Sequence, residues 1–205
     1  MSKTNEERLK KLFARLDSMS YIKPDTIPDI PLYMDQVTTF MDEHLGHTKR
    51  YSDDKVLTKT MINNYAKNNL LPPPVKKKYS KEHMLMLIFI YYFKNLLSFN
   101  DIEELFRPIT GEHFNGQTDL SLEKIYNEVF ALEHEQMENL KADVKEKFNL
   151  ATQTFQYAAP EDQEYLQLFA FICELSFDVY LKNQMIEMLT DQLREEHTDF
   201  SKKKK

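Results

Sequence analysis

The sequence predicts an all-α protein made of two lobes, and three observations lead to this prediction. Apolar residues recur at intervals of three and four, the spacing of one helix face, along nearly the whole chain. The 205 residues include only three glycines, which leaves little material for tight β-hairpins. Residues 107–120 contain two of these glycines and a proline, as is typical of a domain boundary. We therefore predict one lobe over 1–110 and another over 111–205.

The first two predicted helices are joined by a proline-rich linker. An apolar stripe predicts a helix over about 4–19. Three prolines within 21–31 exclude a helix or a central strand, so this segment is predicted to be extended. The second helix is predicted over about 31–45, with Pro31 in its first turn and Gly46 just past its end.

The third helix is predicted from its cap and from the prolines that end it. Thr58 is a residue type that caps helix N-termini, and the apolar residues after it share one side. The helix reaches about Asn69, because the prolines at 72–74 cannot continue it. These prolines lead into a basic loop, here called the lysine wing, which consists of Lys76, Lys77 and Lys78.

The fourth helix is predicted to be the buried centre of the first lobe. Ser80 is placed to cap a helix over about 81–97, which is apolar on nearly every side from Met84 to Phe93. A helix of this composition needs neighbours all round, so it is expected in the core. A short helix over 101–106 completes the lobe.

The second lobe is predicted to consist of two long helices. The helix over about 121–149 carries a near-heptad apolar stripe, and Pro160 opens the last helix. Within the last helix, residues 165–181 are apolar on most sides and need more neighbours than one chain supplies. We therefore expect a homodimer formed by the helices after residue 111.

Charge is distributed unevenly along the chain. The formal net charge is −6, which argues against a protein that coats nucleic acid uniformly. Residues 48–84 nevertheless carry a net charge of +6, whereas residues 111–200 carry −13. The basic surface is therefore concentrated around the third helix and the lysine wing.

Composition also narrows the class of protein and its compartment. Three glycines leave no phosphate-binding loop. The single cysteine, Cys173, allows neither an intrachain disulfide nor a thiolate zinc cluster, as expected in the cytoplasm. The first twenty residues contain no signal peptide, and the longest apolar run is about half of a membrane span. We expect a soluble, cytoplasmic protein without a membrane partner.

The third helix has a polar face suited to the major groove of DNA. With its apolar residues turned inward, one stripe at helical spacing faces outward and consists of Thr60, Asn63, Asn64 and Lys67. Asparagine side chains can form two hydrogen bonds with an adenine there. The helix N-terminus at Thr58 offers backbone N–H groups to a phosphate, and Lys59 adds positive charge. The lysine wing would hold the flanking backbone.

The order of these features resembles a known DNA-binding motif. Residues 57–106 are similar to the winged helix-turn-helix of the MerR regulators, whose pattern is a capped helix, a Leu-Leu-Pro, a basic wing and two further helices. In this alignment Thr58 is the cap, Tyr65 is the second aromatic residue, and the Leu-Leu-Pro and the wing are matched by Leu70, Leu71, Pro72, Lys77, Tyr79 and Ser80. The resemblance implies binding of duplex DNA and adds Tyr79 to the expected DNA-binding residues.

The chain departs from the MerR pattern at three positions. Thr60 and Asn63 stand where that pattern has arginines, and Asn64 stands where it has an aromatic residue. The wing is also shorter, and no metal-binding cysteines follow it.

A second and closer resemblance covers three segments. Residues 30–41, 57–67 and 72–80 are similar to the bacterial family known as domain of unknown function 1836. This resemblance implies a cytoplasmic bacterial protein and a role in transcription regulation.

The sequence gives little support to an enzyme. The six histidines are scattered, and the one close pair, His44 and His47, lies on either side of a helix end. His134 lies between two glutamates on a predicted helix surface, and Cys173 lies on an apolar face where a buried, inert thiol is expected. We therefore expect no catalytic residue, no metal and no cofactor.

An alternative binding function stays open at this point. The acidic second half could bind an unidentified small-molecule or protein effector, with the helix-turn-helix serving only as a docking fold. Methionines such as Met84, Met86, Met185 and Met188 suit an adaptable apolar pocket, although core packing explains them equally well.

Overall fold

The computed structural model describes residues 4–19, 21–114 and 119–203, without the side chains of 133–135 and 198–203. The described chain is mostly helical, which confirms the all-α class. The helices are α1 Asn5–Asp17, α2 Met34–Leu45, α3 Lys59–Lys67, α4 Lys81–Phe93, α5 Phe99–Pro108, α6 Leu122–Thr152 and α7 Pro160–Lys203. Two strands, β1 Leu32–Tyr33 and β2 Lys78–Tyr79, pair antiparallel.

The strand pairing explains why α2 begins later than predicted. Leu32 lies opposite Tyr79, and Tyr33 lies opposite Lys78, so this part of the chain is extended rather than helical. The backbone N–H of Tyr33 then donates to Oε1 of Gln36 at 2.9 Å and so starts the helix. Periodicity alone could not reveal this, because the strand partner lies more than forty residues away.

Contacts divide the chain into two compact units. The first contains the residues up to 20 and Phe130–Met185, and the second contains Tyr21–Val129 and the residues from Ile186 onward. This grouping differs from the predicted boundary near residue 110. The difference arises because α6 and α7 each contribute to both units and because α1 belongs with them.

The first unit is built on the packing of α1 against the long helices. Its buried cluster consists of Val144, Phe148, Ala151 and Phe171. The apolar stripe of α1, with Leu9, Leu12 and Phe13, packs against this cluster. Asn5 donates a side-chain hydrogen bond to the carbonyl of Glu164 at 2.9 Å. Cys173 is half-buried rather than buried, so the expectation of a fully enclosed thiol is wrong.

The second unit is organised around α4. Residues from His83 to Ile90 are all buried, as predicted for the apolar centre of the fourth helix, whereas residues 91–93 at the end of the predicted apolar run are half-buried. The helix ends at Phe93, four residues earlier than predicted, since the chain must turn before Ser98 caps α5 by accepting the N–H of Asp101 at 3.2 Å. The hydroxyl of Tyr126 donates to the carbonyl of Ile22 at 2.6 Å, which ties α6 to the linker before β1.

Some sequence features carry no structural description. Gly116 belongs to residues 115–118, which lie outside the described residues. The side chain of His134 also lies outside them. In the described ranges, each helix is too short or too polar to cross a membrane. No group of three or more His, Cys, Asp or Glu side chains in those ranges is arranged to hold a metal ion.

Candidate nucleic-acid interface

The N-terminus of α3 is capped as predicted. Thr58 has an extended backbone conformation, and its hydroxyl oxygen accepts a hydrogen bond from the N–H of Met61 at 3.2 Å. This cap satisfies one of the four N–H groups that a helix leaves unpaired at its start. The N–H groups that stay unpaired give the N-terminus of α3 a partial positive charge, which favours the binding of a phosphate.

The two faces of α3 are oriented as the sequence predicts. Ile62 and Tyr65 are buried, and Met61 is half-buried. The exposed residues are Thr60, Asn63, Asn64 and Lys67. The Tyr65 ring meets the edge of Phe99 with centroids 5.9 Å apart, and burial raises the pKa of Tyr65 to about 12. This neutral anchor fixes the rotation of α3 about its axis.

The C-terminus of α3 turns sharply toward the lysine wing. Asn69 adopts the left-handed conformation with φ 58°, and the N–H of Leu70 donates to the carbonyl of Tyr65 at 2.9 Å. Leu70 and Leu71 are both buried and fasten this end of the helix to the core. The start of the proline segment 72–74 is therefore held in place by the core.

The lysine wing closes through a two-residue turn. Val75 and Lys78 exchange backbone hydrogen bonds of 3.1 and 3.0 Å. Lys76 and Lys77, at the centre of the turn, have φ of 51° and 64°, and both are exposed. Positive φ at both central positions is the pattern of a type I′ hairpin turn, in which asparagine and glycine are preferred. The two lysines thus occupy backbone positions that bulky side chains rarely adopt.

The start of α2 contacts both α3 and the lysine wing. The ammonium group of Lys78 lies 5.0 Å from the centre of the Tyr33 ring. Asp35, which is two residues after Tyr33, forms an ion pair with Lys59 at the first position of α3. Residues 33–35 therefore link the wing to the N-terminus of α3, a role that the sequence did not indicate. Proximity to Pro31 was the only local signal, and it indicated a helix start.

Tyr79 is an exception among the predicted DNA-binding residues. It is 3% exposed, and its ring packs edge-on against His83 with centroids 5.5 Å apart. Burial also raises the pKa of its hydroxyl. Tyr79 therefore does not lie on the exposed surface, where it was expected among the DNA-binding residues. Tyr79 supports the base of the lysine wing from inside, whereas the other nine predicted residues are exposed or half-buried.

Ser80 and His83 form the cap of α4. The backbone N–H of Ser80 donates to Nδ1 of His83 at 3.0 Å, and the Ser80 hydroxyl lies 2.9 Å from the same nitrogen. His83 thus plays the part that glutamate plays in the usual capping box. The sequence identified Ser80 as the cap residue but gave no indication of the histidine.

A family model matches the part of the chain that contains all these features. Residues 22–129 match the model described as Domain of unknown function (DUF1836), which is more than half of the chain. The chain belongs to the DUF1836 family. No curated protein and no solved structure matches it.

The DUF1836 region contains every residue of the candidate interface. It extends from the linker before β1 to the first turns of α6, and so includes α2, α3, the lysine wing, α4 and α5. The basic segment 48–84 lies wholly within it. The later part of α6 and the whole of α7 lie outside the matched residues.

Proposed function

We propose that this DUF1836 protein is a bacterial, cytoplasmic transcriptional regulator that binds duplex DNA through a MerR-like winged helix-turn-helix. In this proposal α2 and α3 are the two helices of the motif, α3 enters the major groove, and the lysine wing contacts the flanking backbone. The observation that carries the proposal is the exposed stripe of Thr60, Asn63, Asn64 and Lys67 on a helix whose opposite face is anchored in the core.

Each side chain has a separate task in this proposal. Asn63 and Asn64 read base edges, because an asparagine amide can donate to and accept from adenine at once. Lys67 and Lys59 contact phosphates, and the capped N-terminus at Thr58 binds a further phosphate through backbone N–H groups. Lys59 exchanges its ion pair with Asp35 for a phosphate contact.

The lysine wing supplies phosphate contacts that carry no sequence information. Lys76 and Lys77 lie at the tip of the turn, where nothing in the packing of the core requires a positive charge. Lys78 is held at its base by the Tyr33 ring. Contacts of this kind fix the register of a protein on the duplex while other residues read the bases.

The charge distribution favours one orientation on DNA. The segment that contains α3 and the wing has a net charge of +6, and residues 111–200 have −13. A polyanion attracts the first segment and repels the second. The protein therefore approaches a duplex with the basic segment first.

We also propose that the protein is a homodimer that binds two half-sites. One stripe of α7 carries large apolar side chains that are more than half exposed, namely Tyr165, Phe169, Ile172 and Val179. Exposed apolar surface of this extent on a helix is typical of a protein interface. Dimeric helix-turn-helix proteins place their recognition helices about one turn of DNA apart.

An alternative function follows from an apolar cavity in the second unit. A space of about 540 Å³ lies where Leu96 and Leu97, after α4, face Leu189 and Leu193 of α7. Its size is within the range of small-molecule sites. In this alternative the helix-turn-helix fold serves only for docking, and the protein binds a small apolar ligand or a partner protein.

Selection of bound fragments from genomic DNA distinguishes the two functions. The wild type is compared with Lys76→Ala/Lys77→Ala/Lys78→Ala and with Lys10→Ala/Lys11→Ala/Lys145→Ala, which removes equal charge from exposed positions of the first unit. We expect the wild type and the second variant to enrich one motif and the wing variant to lose it. If the wild type enriches no motif, the alternative function replaces the proposal.

A further inference from the structure

The apolar cavity of the second unit lies between two segments that are far apart in the chain. One wall comes from the end of α4, the residues after it and α5, and the other wall comes from α7. The walls are mainly aliphatic and include Leu96, Leu97 and Leu105 on one side and Ile186, Leu189 and Leu193 on the other. The volume of about 540 Å³ is that of a small-molecule site. Such walls suit a flexible aliphatic chain.

Two polar contacts join α5 and α7 beside this cavity. Nη2 of Arg194 donates to Oδ1 of Asp101 at 2.7 Å, and Nδ1 of His197 lies 2.5 Å from Oε1 of Glu104. Glu104 is buried and also accepts a hydrogen bond from Arg107 at 2.8 Å. The basic groups of α7 in this region are therefore engaged with α5, and the space between the two helices is held open by a fixed frame.

The polar groups of the cavity define the charge of its ligand. They belong to Thr190, Gln192 and Glu196. The hydroxyl of Thr190 donates to the carbonyl of Ile186 at 2.9 Å and needs no further acceptor. Among the described residues that line the cavity, Glu196 is the one charged side chain, and it is exposed. A carboxylate or phosphate would therefore meet a like charge there, whereas an ammonium group would meet an opposite one.

We propose that the cavity binds an aliphatic amine, whose chain fills the space between α5 and α7 and whose ammonium group pairs with the carboxylate of Glu196. Removal of the chain from water supplies most of the affinity, because the free energy gained grows with the apolar area that is buried. An ion pair with an exposed carboxylate contributes less. Glu196 therefore acts mainly by selecting the head group.

Helix α5 contacts both the cavity and the helix that is proposed to enter the major groove. Leu105 lines the cavity, while Phe99 packs edge-on against Tyr65 of α3 with ring centroids 5.9 Å apart. Nδ2 of Asn69, just after α3, donates to Oε1 of Glu103 at 3.4 Å. A chain bound against α5 holds this support of α3 in place, so less ordering is needed when DNA binds. This second part rests on the proposed function, and it means that the amine raises the affinity for DNA.

The head group is tested by calorimetry on the full chain without DNA, using decylamine, decan-1-ol and decanoate below their micelle concentrations. We expect decylamine to bind about tenfold more tightly than decanoate, since one head group is attracted to Glu196 and the other is repelled. Glu196→Gln should weaken decylamine about threefold and leave decan-1-ol unchanged. Glu195→Gln is the matched control, because Glu195 is an exposed neighbour that does not line the cavity. It should bind decylamine as the wild type does.

The position of the chain is tested by a second pair of variants. Leu189 and Met188 are adjacent on α7 and are 60% and 63% exposed, but Leu189 lines the cavity and Met188 does not. We expect Leu189→Ser to bind decylamine about fivefold more weakly, because it removes apolar surface that the chain covers. Met188→Ser should bind it normally. Thermal unfolding without ligand first establishes that each variant is folded.

Three results would overturn the ligand site. Equal affinities for decylamine and decanoate would contradict the selection of an amine, and so would equal binding of decylamine to the wild type and Glu196→Gln. Equal weakening by Leu189→Ser and Met188→Ser would place the chain on the outer surface of α7. None of these measurements contains DNA, so they decide the site whether or not the proposed function holds.

The coupling is tested separately with a labelled duplex. Saturating decylamine should raise the DNA affinity of the wild type at least about fivefold, and DNA should raise the affinity for decylamine by the same factor. Unchanged DNA affinity would refute the coupling and leave the ligand site standing. A wild type that binds no duplex would remove the coupling together with the proposed function, while calorimetry would still decide the site.

Discussion

Val75 and Lys78 exchange two backbone hydrogen bonds, of 3.1 and 3.0 Å, and so close a turn on two lysines with positive φ. Left-handed backbone costs a residue with a side chain about 1–2 kcal/mol relative to glycine. Lys76 and Lys77 are both exposed, so little packing offsets this cost. We infer that they serve through the charge they carry at the tip of the turn.

This inference predicts that stability and DNA affinity change in opposite directions at the wing. Lys76→Asn/Lys77→Gly introduces the residues that a type I′ turn prefers, so the free energy of unfolding should rise by about 1 kcal/mol. The loss of two charges should lower the slope of log K against log salt by about two units for each wing on the duplex. Urea unfolding and DNA titration measure the two effects. A decrease in both quantities would show that the lysines are required for the fold.

Asn63 is predicted to read one base position. Asn63→Ala removes the amide from an exposed helix position and should cost about 1–3 kcal/mol of discrimination at a single base pair. Alanine is also a better helix former, so the fold should be slightly stabilised. Binding to duplexes that differ at one position each would reveal the effect. Uniform weakening across all duplexes would instead assign Asn63 to the phosphate backbone.

The dimer is predicted to depend on the exposed stripe of α7. Phe169 and Ile172 are each 52% exposed, so Phe169→Glu/Ile172→Glu should leave the fold intact and convert the dimer to a monomer. Sedimentation at micromolar concentration measures the change. Tyr157→Glu, at a position that is 88% exposed and outside α7, is the control and should remain dimeric. A wild type that sediments only as a monomer would contradict the homodimer.

His83 is predicted to make the protein less stable in acid. Burial lowers its pKa below the ordinary 6.5, so between these values the unfolded chain binds a proton that the folded chain does not. The neutral His83 ring therefore contributes its full share to the free energy of unfolding above pH 6.5, and this contribution is lost as the pH falls below 6.5. Unfolding in urea at a series of pH values should show a shallower loss for His83→Gln, which cannot titrate. Identical pH profiles would exclude His83 as a cause.

The helices could be predicted from the sequence because their signals are local. Periodicity, caps and prolines lie within one or two turns of the elements they define, and α3 begins directly after the predicted cap Thr58. The outward face of α3 follows from the same periodicity, since Ile62 and Tyr65 must turn inward. Asn63 and Asn64, which are predicted to contact base edges, are therefore exposed, as the periodicity indicates.

The remaining features depend on residues far apart in the chain. The pairing of Leu32 with Tyr79 shortens α2 and buries Tyr79, which the resemblance to the MerR pattern had placed at the DNA. The grouping of α1 with α6 and α7 depends on the packing of Phe13 and its neighbours against a distant cluster. Periodicity identifies an apolar face but not the face that covers it.

The salt dependence of DNA binding tests the proposed function most directly. Fluorescence anisotropy with a labelled duplex gives the affinity at a series of salt concentrations, for the wild type, for Lys76→Ala/Lys77→Ala/Lys78→Ala and for the control Lys10→Ala/Lys11→Ala/Lys145→Ala. We predict that the wing variant lowers the slope of log K against log salt by about three units for each wing on the duplex, and that the control leaves it unchanged. Equal slopes for the two variants would contradict DNA binding through the lysine wing.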